Sequence, residues 1–135
     1  MKDQYEDQLK LMFGKSYKSS KRHSNEPVLY EVDLKDGVDG HSIKSDLGAL
    51  AADLQVHVLD LKSLQMQLVN GQTSQATYES LFGAELRYVK REIPNLNRGP
   101  HDIQEWVEVK PATVPASLQD RIEHIGLARM MYLTD

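Results

Sequence analysis

The chain contains no cysteine, which removes disulfides, thiolate metal sites and cysteine nucleophiles in one step and leaves stability to packing alone. No run of about 18 apolar residues exists to span a bilayer, and the opening MKDQYEDQLK lacks the apolar core of a secretory signal. The expectation is a soluble, cytoplasmic protein with no membrane partner. Glycines are too scattered to form GxGxxG or GxxxxGK, so no phosphate cradle is written, and no serine sits in a GxSxG elbow. The histidines His23, His41, His57, His101 and His124 fall on separate segments, with no HExxH spacing to place two on one helical face. Asp33, Asp36 and Asp39 depart from the alternating oxygens of a calcium loop and belong to turn chemistry. No metal, no cofactor and no enzymatic activity is expected. A formal net charge of −4 argues against a general nucleic-acid binder, which normally carries a basic excess.

At 135 residues the chain can bury one compact core. Residues 3–13 form a possible short helix with Tyr5, Leu9 and Met12 on one face and Gly14 as its stop. The following GKSYKSSKRHSNEP has no periodicity, so residues 1–27 are expected to be a flexible arm. Its Lys15, Lys18, Lys21 and Arg22 would suit an acidic partner if they are not simply solvated.

From residue 28 to 135 the patterning is that of a single domain. Val28, Tyr30, Val32 and Leu34 alternate with polar neighbours, the mark of a half-buried strand. Ser42 is placed to cap a helix whose Ile43, Leu47, Leu50 and Leu54 make one stripe. QVHVLDL and LQMQLVNG flank a Lys62-Ser63 turn as a hairpin closed by Asn70-Gly71. Thr73 or Ser74 then caps a second helix with Tyr78, Leu81 and Phe82 inward and Gly83 at its end, and AELRYVKRE is a fourth strand. Strand, helix, two strands, helix, strand is the split βαβ plan, so the fold class is α+β: a ferredoxin-like βαββαβ antiparallel sheet with two helices on one face. Beyond it, IQEWVEVK is an extra strand, Pro115 to Ile125 a short helix, and LARMMYLTD an extended tail.

Two features are left over. Trp106 shares its strand face with Gln104, Glu108 and Lys110, away from Val107 and Val109; it either covers the N-terminal segment or the tail, or contacts a partner. The tail ARMMYLTD either straps the core or stays free to bind. The segment TSQATYESLFGAELRYV is similar to the second helix and fourth strand of subtilisin-type serine protease prodomains and related inhibitors, and VPASLQDRIEHIGL resembles the helix before their junction with the protease. The resemblance implies a protein-binding domain that inhibits or chaperones a subtilisin-type protease, in trans or in a longer parent chain. It also implies that the C-terminal segment enters the substrate cleft as a strand. Carried onto this chain, Arg129, Met130, Met131, Tyr132 and Leu133 would fill that cleft, with Trp106 as a further partner contact. The alternative is a regulatory or interaction module unrelated to proteases, or a homodimer joined through an edge strand.

Overall fold

The computed structural model describes residues 3–23, 26–93 and 101–128, and shows a mixed α+β chain of two antiparallel sheets, seven strands and three α-helices among those residues. Arg129, Met130, Met131, Tyr132 and Leu133, expected to fill a protease cleft, lie outside the described residues.

The first sheet is built on β2 (Val28–Leu34), β3 (Gln55–Leu61), β4 (Met66–Thr73) and β7 (Ile122–Leu127), in the order β3-β4-β2-β7. Helices α2 (Gly40–Gly48) and α3 (Gln75–Phe82) share one core with it: Ile43, Leu47, Tyr78 and Phe82 pack with Val28, Tyr30, Val32, Val56 and Val69. The alternation at 28–34 thus has the meaning expected of it. The helix caps are local chemistry. Ser74 accepts from the Thr77 N–H at the start of α3, and Gly83 ends that helix at φ 64°, where a side chain would be strained. Asp39, not Ser42, caps α2 by accepting from the His41 N–H, so one acid of the Asp33, Asp36, Asp39 group has a turn role. The helix ends at Gly48, so the expected stripe stops at Ile43 and Leu47: Leu50 and Leu54 both lie beyond the helix, Leu50 38% exposed and Leu54 buried in the core from the loop.

The strand order departs from the ferredoxin-like expectation. The place beside β2 belongs to β7, while β5 (Glu85–Ile93) leaves to pair with β1 (Tyr17–Ser20) and β6 (His101–Lys110) in a second sheet of order β1-β5-β6. Nor is 115–125 a helix. A short 3-10 turn, Ala116–Leu118, leads into β7, and an extra residue at Glu123 shifts its register against β2, so that Leu34 meets Ile122 but Asp33 meets His124. The bulge puts Ile122 and Ile125 on one buried side three residues apart. That spacing imitates a helix.

Residues 15–23, expected to belong to an arm, hold β1, which pairs Tyr17–Ser20 with residues 88–91 of β5. Helix α1 (Glu6–Phe13) lies on the second sheet. Its inward face is Tyr5, Leu9 and Phe13, packed on Val89, Val107 and Val109, while Met12 is exposed. Gly14 ends α1 at φ 73°, as the sequence predicts. Arg87, only 6% exposed, bonds the Asp3 carboxylate at 2.7 and 3.0 Å and stands over the Tyr5 ring; Arg91 stands over Phe13. The buried Gln75 side chain receives the His23 N–H and donates to the Lys21 carbonyl, fastening the end of this segment to α3. These contacts are invisible to a scan for periodicity because each long-range partner lies more than 50 residues away.

Candidate functional site

Among the described residues, the four-stranded sheet carries helices α2 and α3 on one face and no helix on the other. On the other, β3 and β4 present Gln55, His57, Leu59 and Leu61 against Gln72, Asn70, Leu68 and Met66 in register. Around the hairpin tip this face is apolar and open to solvent: Leu59 is 54% exposed, Leu64 66%, Met66 45% and Leu68 42%. The opposite set goes inward because α2 demands it. Gln67 accepts the Gly40 N–H at 2.6 Å, and Val56, Val69 and Gly71 are buried on that side. The hairpin turns at Lys62–Leu64, with Gln65 at φ 51°, and Asn70-Gly71 lies inside β4 rather than at a corner.

On the helix side of the same hairpin, His41 Nε2 lies 2.9 Å from Asp60, and the Gln67 amide donates to the same carboxylate at 2.7 Å. Those two bonds, Gln67 first, hold the Asp60 carboxyl below its ordinary range. The network ties α2 to the hairpin. His41 and Asp60 are exposed and Gln67 half-buried. Among the described residues no group of three His, Asp or Glu side chains is arranged to hold a metal ion.

Trp106 points away from Val107 and Val109, as alternation requires, and packs at the junction of the two sheets. Its Nε1 donates to the Pro27 carbonyl at 3.2 Å, its ring meets Tyr88 edge-to-face at 4.9 Å, and His23 stacks parallel on Tyr88 at 3.8 Å. The N-terminal segment is therefore one of the things this ring covers. The structure does not gather Trp106 and the hairpin leucines into a single patch: the residues beside Trp106 are Glu26, Pro27, Leu29, Tyr88 and the end of β7.

The chain matches no known family model, no curated protein and no solved structure. No helix of the described residues is long and apolar enough to cross a membrane. Reasoning from sequence missed Leu59, Leu64, Met66 and Leu68 as surface residues. The alternation of Leu64, Met66 and Leu68 is plain, but it marks a face without saying which side the helices cover. Tyr88 and His23 carried no signal, since their stacking joins segments 65 residues apart in sequence.

Proposed function

We propose that this chain is a protein-binding module that docks a folded partner on the helix-free face of its four-stranded sheet. The observation that carries the reading is the exposed cross-strand pair Leu59 and Leu68 with exposed Met66 at the same end of that face, next to exposed Leu64 in the turn that joins the two strands. Contiguous exposed apolar surface is the mark of an interaction site, whereas single exposed leucines are ordinary. The resemblance to subtilisin-type prodomains supplies the partner: a subtilisin-type protease domain, with the sheet against its surface and Arg129–Leu133 extended in its cleft. Binding, not catalysis, is the activity this reading assigns.

The test pairs Leu59→Glu with Leu68→Glu in one variant. Both side chains are exposed, so the melting temperature should hold, while affinity for a subtilisin-type protease should fall by about 2 kcal/mol, roughly thirtyfold in Kd. Removing residues 129–135 should abolish inhibition and spare binding through the sheet. A panel of such proteases that neither binds nor is inhibited by the intact chain defeats the partner assignment. A second reading has its own support: among the described residues β3 is an edge strand, paired with β4 alone, and QVHVLDL has neither the lysine nor the proline that usually guards an edge. Sedimentation equilibrium showing a dimer that the double variant or a Val58→Pro change dissolves would favour that homodimer.

A further inference from the structure

Where the start of β2, the end of β7 and the β5–β6 hairpin meet, the two sheets leave a pocket of about 200 Å³ walled by Tyr88, Trp106, Pro27, Leu29 and Leu127. Both rings are fixed before any ligand arrives. Trp106 is held by its bond to the Pro27 carbonyl, and the face of Tyr88 turned to His23 is braced by that imidazole, 3° from parallel. Preorganised aromatic walls of this kind attract cations through the ring quadrupole, and apolar neighbours accept the methylene stem that carries the charge.

The charges at the rim decide the sign of the ligand. Glu26 lines the pocket and lies close enough to Tyr88 that, after burial, its charge is what raises the phenol pKa. Glu105, the other carboxylate there, is engaged by Arg91 at 3.0 Å. Lys90, on the same strand face as Tyr88, faces Asp102 at 3.5 Å. No cationic side chain lines the pocket among the described residues. Glu26 is an exposed carboxylate with no ion-pair partner there, beside two aromatic rings.

We propose that this pocket takes the cationic side chain of a lysine or arginine on a partner polypeptide, its stem against Leu29 and Leu127 and its head between Glu26 and the Trp106 ring. The hairpin leucines do not line it, so the inference stands whether or not the sheet face docks a partner.

Trp106 is the only tryptophan in the chain, so in the folded protein its emission reads the pocket wall with no competing indole. The full chain is titrated with Nα-acetyl-arginine methylamide and Nα-acetyl-lysine methylamide, and with the neutral citrulline and norleucine analogues. The cationic probes should give a saturable change that the neutral ones lack, and Glu26→Gln should weaken it by about threefold to fivefold, as loss of one exposed charge contact does. The Trp106 indole N–H resonance, which senses the bond to Pro27, gives a second readout on the same samples. Equal response to citrulline, or no effect of Glu26→Gln in a variant of unchanged melting temperature, overturns the proposal. So does a response that appears only after residues 129–135 are removed, because the pocket would then belong to the chain's own tail.

Discussion

Gly71 shows at the scale of one residue why this sheet has the sequence it has. Tyr30 pairs with Gly71 across β2 and β4, and its ring passes over the glycine so that the hydroxyl donates to the Gln55 carbonyl of β3 at 2.8 Å. A Cβ at position 71 would run into that same carbonyl and come within 2.6 Å of the Tyr30 hydroxyl. The position therefore needs glycine for close approach, not for a turn. Gly71→Ala should cost stability at the upper end of the roughly 1–3 kcal/mol typical of overpacking, read by urea denaturation. A change within about half a kcal/mol, the range of a neutral surface substitution, would mean that the ring has room to move. Sequence alone pointed to Asn70-Gly71 as a turn, since the dipeptide is the same in either role.

At the scale of an element, α1 and β1 depend on a buried cation. Arg87 lies in β5, and its bonds to Asp3, with Tyr5 under the guanidinium, tie the start of α1 to the second sheet. The Arg87 hydrogen bond is the largest influence on Asp3 and holds its carboxyl down to about 2. Because the folded value is depressed, the stabilisation is fully present above the unfolded carboxylate range and is lost as pH falls through about 2. Acid unfolding followed between pH 5 and 2 should therefore be flatter in an Asp3→Asn variant, which is also less stable at neutral pH. Identical curves for the two proteins would remove Asp3 from the account. The helix itself was legible from Tyr5, Leu9 and Gly14. What it packs on was not: Phe13 joins the buried face and Met12 does not, because the strands that cover the helix lie far along the chain and the local pattern never mentions them.

For the whole molecule, the decisive feature is that the larger core crosses from one sheet to the other. Leu86 and Trp106 of the second sheet pack with the residues of α2, α3 and the first sheet, and the buried Tyr78 hydroxyl of α3 donates to Glu108 of β6 at 2.8 Å. The other oxygen of Glu108 accepts the Ala112 N–H. Burial, and then the bond to Glu108, pushes the Tyr78 pKa upward, so the phenol stays a donor throughout the physiological range. Tyr78→Phe removes that donor and leaves a carboxylate oxygen without its partner, a loss of about 1–3 kcal/mol. Trp106 emission, which reports the second sheet, and far-UV circular dichroism should still unfold together in both proteins, as one cooperative unit. Transitions that separate would mean that the shared core does not couple the sheets.

The amino-acid sequence by itself determined the elements with strong local signals: the half-buried strand at 28–34, the hairpin, a helix capped at Thr73 or Ser74, the Gly14 and Gly83 stops, and the side of its strand on which Trp106 stands. Each follows from a period or a cap spanning a few residues. Only the tertiary structure decided that β7 and not β5 flanks β2, that Tyr17–Ser20 is a strand, that Ile122 and Ile125 share a side through a bulge, and that among the described residues no helix covers the face of Leu59, Met66 and Leu68. The physical reason is common to all four. Alternation and helical spacing say which residues share a face, but the energy of burying that face is set by whatever distant segment arrives to cover it, and no local pattern carries that information.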